Sequence, residues 1–231
     1  METVDTLSLM LGSAWAAGIN LYAAVFVLGY MANTGAVALP AGLELLADPM
    51  VMTMAGIMYA VEFFADKTPG VDTGWDAIHT FIRIPAGAVL AAGMAEGFAV
   101  GEAAEFAAFL VGGGMAATSH LTKAGSRVMI NTSPEPFSNW TASITEDLAV
   151  VAGLWTALNH PVLFIGLLIL FMLLAIWLLP RIWRALKSIA KAIGRFFGGK
   201  GNDDKKTDSP PPPKEERDVL QKLYRDDDKP S

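Results

Sequence analysis

The sequence predicts an all-α, polytopic helical membrane protein of five or six spans, built from two related halves and followed by a charged extension. Three observations carry this. Of 231 residues, 53% are hydrophobic and the mean hydropathy is +0.41, above what a soluble domain shows. Val162–Leu179 is an uncharged apolar run opened by Pro161, close to the roughly 20 helical residues that cross a hydrocarbon core. The charges are also segregated. Four bases and 14 acids precede Arg181, whereas 13 bases and 9 acids follow from Arg181 onward. The division is therefore a membrane domain over 1–180, a basic helix over 181–197 and a tail over 198–231 expected to be disordered. The net charge of −6 averages two unlike parts and says little about partners. No nucleic-acid partner is expected.

Several chemistries are excluded early. The absence of cysteine rules out disulfides, thiol nucleophiles and thiolate metal sites. No HExxH, GxSxG or glycine-rich phosphate loop occurs, so neither an enzyme activity nor a cofactor is expected. METVDT has no basic n-region, and the apolar run after it is too long for a signal peptide. An uncleaved first helix is expected instead.

Leu7–Met31, apolar apart from Ser8, Ser13 and Asn20, is the first expected span. Ala41–Ala47 is a short apolar segment, and Pro49 opens a second span over Met50–Ala65 that contains Glu62. Pro85 marks a third over Ile84–Val100, and Phe106–Ile130 reads as a fourth helix, apolar first and polar later. Trp140–Leu158 begins polar and holds only about 11 apolar residues, short of a full crossing. If it crosses and Ala41–Ala47 does not, six spans put the N-terminus on the cytoplasmic side. If neither crosses, five spans put it outside.

After Pro180 the character changes. Ile182, Leu186, Ile189, Ile193 and Phe197 share one helical face, with Arg181, Arg184, Lys187, Lys191 and Arg195 around the rest. No acid occurs between Arg181 and Lys200. This pattern predicts a helix lying on anionic lipid, or else a plain extension of the last span. The basic cluster places the C-terminus in the cytoplasm. Within the tail, DVLQKLY is the stretch suited to a short helix or to docking on a cytosolic partner, and a homo-oligomer stays open.

An internal repeat is detectable. At an offset of 100, Ser13–Val25 and Gly114–Gly125 share Ala16/Ala116, Ala17/Ala117, Leu21/Leu121 and Ala24/Ala124, and Asn20 faces His120. AGLELLADP and AGLWTALNHP then match in the same order. With an odd helix between the copies the second is inverted, a transporter pattern. The repeat favours five spans and the charge rule favours six.

Ionisable residues within these runs are the candidate site. Glu62 and Asp66 share a face at the end of the second span. Asp72, Asp76, His79 and Arg83 lie within about 60° of one another on a helix, as do His120, Lys123 and Arg127. Asp72 and Asp76 can instead cap a helix or meet its dipole, and Lys123 and Arg127 can snorkel to the interface. Glu62 fits neither explanation, since a carboxylate inside an apolar run lines a path or pairs with a base. With Asn20 and Lys67 these residues define the expected solute or ion pathway. A lone Asp76-x-x-His79 is too little for a metal, so no metal is expected.

The run VEFFADKTPGVDTGWDAIHTFIRIPAGAVLAAG, with GSAWAAGINLYAAVFVLGY near the start, resembles the bacterial membrane-protein family called domain of unknown function 4126. The specific part is ADK-x-P-x-VD-x-x-WD-x-x-H, and the resemblance covers roughly Leu7 to Leu179. It implies an integral membrane protein and carries no activity. The functional expectation, a transporter, channel or flippase of the bacterial inner membrane, rests on the polar residues alone. A non-catalytic scaffold, recruiting a cytosolic partner through its tail, is the alternative.

Overall fold

The computed structural model describes residues 3–68, 70–96, 101–132 and 136–197. Every regular element among them is helical: α1 (Thr3–Asn33), a 3-10 turn (Ala41–Ala47), α2 (Pro49–Ala65), α3 (Val71–Glu96), α4 (Glu102–Ile130), α5 (Pro136–Asn159) and α6 (Pro161–Phe197). By length and apolarity α1, α3 and the Pro161–Ser188 part of α6 suffice to cross a membrane, and the 3-10 turn with α2 makes a fourth candidate bent by 64°. The protein is thus an all-helical membrane protein.

Local chemistry sets the helix ends. Asp48 caps α2 by accepting from the Met50 and Val51 amides at 2.7 and 3.3 Å, and Pro49 stands where its missing N–H costs nothing. Gly70, with φ +85°, turns the chain between α2 and α3.

Three elements differ from the sequence reading. The third helix begins at Val71, not near residue 84, and runs on through Pro85. Proline removes one backbone donor, which a helix inside a packed bundle tolerates. The polar stripe and the apolar span are therefore one helix of about 39 Å. Second, α5 is a full 24-residue helix. Its shortage of apolar residues is offset by burial of Asn139 and Ser143 against other helices. Third, α6 contains Pro180 inside and continues without a break into the basic segment.

The largest departure is in α1, which is not straight. Asn20 is extended (φ −146°, ψ 98°) and divides it into two arms. The Asn20 side chain explains how. Its Oδ1 accepts from the Ala23 amide at 2.9 Å, the geometry of an N-cap for the second arm. Its Nδ2 donates to Asp147 Oδ1 of α5 at 3.0 Å.

The contacts of the arms fix their direction. Ser8 at the start of α1 donates to the Ala157 carbonyl in the last turn of α5 (2.9 Å). Asn33 at its end donates to Ala47 (2.9 Å), and Leu43 of that 3-10 turn packs on Gly93 near the end of α3. Helices α3 and α4 are antiparallel, with Gly112 against Ala91 and His120 against Arg83. The end of α3, the start of α4 and the end of α5 therefore lie together, and both ends of α1 lie with them. Asn20 is the inner tip of a two-armed helix.

Small residues let these helices approach. A Cβ on Gly18 would strike Ser119 and Ala116, one on Gly87 would strike Ala116, and one on Gly112 would strike Ala91. The two similar stretches of sequence thus pack on each other, although α4 runs unbroken through His120. Helix α6 stands against α1 through Trp15, whose ring meets Phe164 and Phe171 at 6.1 Å, and against α4 through Ile182 on Gly125. Its other faces, including Val162, Leu170 and Ile176, are exposed.

A second unit begins at Ile189. Of it, the last turns of α6 to Phe197 are described, and Lys191 is exposed. The Arg195 side chain and the expected disordered tail over 198–231 lie outside the described residues.

Replacing Asn20 by Ala removes the cap of the second arm and a donor to Asp147. Thermal unfolding in detergent should show a loss of about 1–2 kcal/mol. An unchanged midpoint would mean that this side chain does not hold the break.

Candidate functional site

The site is an ion-pair network buried where α2, α3, α4 and α5 converge on the tip of α1. The last turn of α2 brings Glu62 and Asp66, one face of α3 brings Asp76 and Arg83, the polar half of α4 brings His120, Lys123 and Arg127, and α5 brings Glu146. Arg83 joins Glu62 at 2.6 Å and Asp76 at 3.0 Å. Lys123 joins Asp66 at 2.8 Å and Glu62 at 3.3 Å. Arg127 joins Glu146 at 2.5 Å and lies 3.6 Å from Asp66. The three basic side chains are at most 2% exposed.

Such charges are costly in a low-dielectric interior unless each is paired and hydrogen-bonded. The bases meet most of that condition, with Arg83 Nε alone among their described nitrogens buried and without a hydrogen-bond partner in the protein. Arg127 also donates to the Asp66 and Asn139 carbonyls at 2.9 and 3.1 Å. The acids meet it less fully. Glu62 Oε2, Asp66 Oδ1, Asp76 Oδ2 and Asp147 Oδ2 are buried with no hydrogen-bond partner in the protein. Four carboxylates face three cations in the network, so one negative charge is in excess.

The break in α1 is answered from α4. A helix end leaves carbonyls without intrahelical donors, and in hydrocarbon each needs another. Lys123 Nζ donates to the Ile19 carbonyl beside the break at 3.1 Å, and Ser119 Oγ reaches the Trp15 carbonyl one turn earlier at 2.9 Å. The polar character of the second half of α4 is therefore the complement of the bend at Asn20.

His120 has a definite role. Arg83, always a donor, gives a hydrogen bond to His120 Nδ1 at 3.2 Å, so Nδ1 is an acceptor. The proton then sits on Nε2 and is donated to Thr80 Oγ1 at 2.8 Å. Thr80 passes its own proton to the Asp76 carbonyl at 3.0 Å. His120 is a neutral relay between the guanidinium and α3.

The sequence profile described as domain of unknown function (DUF4126) matches residues 7–181, three quarters of the chain. The chain belongs to the DUF4126 family. No curated protein and no solved structure matches it.

The other expected site residues of this DUF4126 protein lie around the network. Asn20 donates to Asp147, the neighbour of Glu146 in sequence on α5. Asp72 does not enter it. Its carboxylate accepts from the Gly70 and Thr73 amides at 2.8 and 2.6 Å and from Asn131 Nδ2 at 2.8 Å, tying the start of α3 to the end of α4. Asp72 stands in the first turn of α3, not at the N-cap position, and satisfies amides at the start of that helix. Asp76 is instead a network member. His79 is also apart from the ion pairs. Its Nδ1–H donates to the Trp75 carbonyl at 2.9 Å, its Nε2 accepts from Tyr22 at 3.1 Å, and its ring stacks on Trp75. Lys67 turns to α5, donating to Ser143 and the Phe63 carbonyl at 3.2 Å each, with its ammonium over the Phe63 ring. Burial in this turn holds the Lys67 ammonium below the usual lysine range, partly opposed by the charge of Asp147. Snorkelling of Lys123 and Arg127 is overturned, because both point inward. Among the described residues no three His, Asp or Glu side chains converge as metal ligands.

Sequence reasoning missed Glu146, Asp147, Asn131 and Asn139. The signal was available in α5, where two adjacent acids interrupt a helix that becomes apolar immediately afterwards.

Glu62→Gln should lower stability by about 3–5 kcal/mol, because it leaves Arg83 and Lys123 with less buried countercharge. Adding Arg83→Met should restore part of that loss in chemical unfolding of the detergent-solubilised protein. Purely additive losses would show that the pair is not coupled.

Proposed function

We propose that this DUF4126 protein moves a small or lipid-linked solute across the bacterial inner membrane, using the buried network as its polar seam in a closed conformation. The single observation behind this reading is the broken helix whose tip meets the network. A discontinuous helix with its freed carbonyls set against buried charge is how transporters build sites within the bilayer. The four carboxylate oxygens without protein partners and the excess negative charge suit a seam that takes up protons or cations, with Arg83, Lys123 and Arg127 able to engage an anionic group. No catalytic role is assigned to any residue.

The topology we infer follows from the same break. With α1 entering and leaving at one end, it is re-entrant, and α2 through α6 supply five crossings. The α2–α3 turn with Lys67, the end of α4 with Arg127 and the basic part of α6 then share the cytoplasmic side. Glu44, Asp48, Glu96, Glu102 and Glu105 share the other, as the positive-inside rule requires. The N-terminus lies outside and the C-terminus inside. Five spans thereby agree with the charge pattern, which a straight α1 would not allow. Reporter fusions ahead of Thr3 and after Phe197 should score periplasmic and cytoplasmic respectively. Two cytoplasmic scores would restore six spans.

A second reading, a membrane scaffold whose charges are internal struts and whose tail recruits a cytosolic partner, is favoured by the pairing of all three bases in the network. Vesicles reconstituted with the full chain separate the two. Under the transport reading, proton, alkali-cation or labelled-lipid flux should exceed that of empty vesicles, and Asp76→Asn, checked to be folded, should return it to background. Background flux for the folded wild type across that panel would favour the scaffold.

A further inference from the structure

One cavity is not accounted for by the ion-pair network. It is a groove of about 610 Å³ between α3, α4 and the part of α6 around Pro180. That lies within the range of ligand pockets, roughly 300–1,000 Å³. Each helix contributes one face. Ala77 and Thr80 come from α3, Leu121 and Val128 from α4, and Leu179 and Leu186 from α6. The wall is almost wholly apolar, and Asp76 of the network also borders it. At this level α6 meets α4 through Ile182 on Gly125.

The ends of the groove show what it would hold. Thr73 in the first turn of α3, Val128 in the last turn of α4 and Leu186 in the basic part of α6 line it together. In the topology inferred above, these positions lie toward the cytoplasmic interface. Trp183 stands at that rim, 61% exposed, with the Lys187 ammonium 5.2 Å from its ring. One turn away Arg181 stacks on Trp177 at 3.5 Å. Tryptophan with neighbouring lysine or arginine marks the headgroup level of a bilayer. No acid occurs between Arg181 and Lys200, so the rim is positive along α6. An apolar slot that reaches from headgroup depth toward the bilayer interior, under a basic rim, is complementary to one anionic amphiphile.

We propose that the groove between α3, α4 and α6 binds one anionic phospholipid, with an acyl chain along Ala77, Leu121 and Leu179 and its phosphate at Lys187 beside Trp183. The bound lipid lies alongside Asp76 and Thr80, so the groove is the lateral approach from the bilayer to the buried network, with α6 as its outer wall. This deepens the transport reading by naming the substrate class and the side from which it reaches the seam, and in that respect rests on it. Occupancy of the groove does not.

The test uses the full chain in vesicles carrying a trace of photoactivatable phosphatidylglycerol, or of phosphatidylcholine with the same chains. Cross-linked peptides should come from the three groove faces, more strongly with the anionic probe. Ala77→Phe fills the groove from an exposed position and should abolish the α4 and α6 cross-links. Ala107→Phe, exposed on α4 away from the groove, should leave them unchanged. Lys187→Gln should remove the preference for phosphatidylglycerol while chain labelling persists. Labelling spread evenly around the bundle, or indifferent to Ala77→Phe, overturns the proposal, as does equal labelling by both lipids in the wild type. Specific groove labelling in a protein that scrambles no labelled lipid would sustain the binding site and defeat the lipid-transport role. Lipid flux with no groove labelling would do the reverse.

Discussion

The pairing of Arg83, Lys123 and Arg127 with carboxylates of three helices is the constraint on which the rest of this structure depends. A single ion placed in hydrocarbon is disfavoured by several kcal/mol even after local relaxation. The penalty becomes bearable only if helices that are distant in sequence bring the partners together. Arg83 needs Glu62, Lys123 needs Asp66, and Arg127 needs Glu146. Those requirements draw the end of α2, the middle of α3, the polar half of α4 and the polar half of α5 to one point. The small residues at Gly18, Gly87 and Gly112 let the backbones come close enough for short side chains to meet.

The bend at Asn20 belongs to the same arrangement. An unbroken α1 would satisfy its own backbone and offer nothing to α4. Broken, it presents the Ile19 carbonyl, and Lys123 is the donor. Lys123 thus serves two purposes, neutralising carboxylates and closing a helix end. One ammonium is held by both a broken backbone and two buried carboxylates. The neutral His120 relay is a further link, connecting Arg83 to the α3 backbone through Thr80.

Helix α6 obeys different physics. Among its described residues it makes no ion pair with the network, and it meets its neighbours through aromatic and aliphatic side chains at Phe164, Phe171 and Ile182. In a bilayer such a helix gains little from apolar contact alone, since lipid tails are as apolar as its neighbours. It can stand away and leave a groove between itself, α3 and α4. The rigid polar centre and the loosely applied outer helix are consequences of two different driving forces.

By itself the sequence determined the membrane class, the helical content and the family, because apolar run length and a dense local motif need no tertiary information. It also determined that Glu62 requires a partner, since a carboxylate within Met50–Ala65 has no local means of neutralisation. Only the tertiary structure decided which partner. It decided that Asp76 joins the network while Asp72, four residues earlier on the same face, ties the first turn of α3 to Asn131. It separated His120, against Arg83, from His79, against Trp75 and Tyr22. A stripe on a helical wheel gives direction around an axis and not depth along it, and depth decides which neighbour each residue meets. The bend in α1 was hidden for a related reason. Asn20 caps the second arm through Ala23 and also donates to Asp147, 127 residues away, and no local rule distinguishes an asparagine with such a partner from one without it.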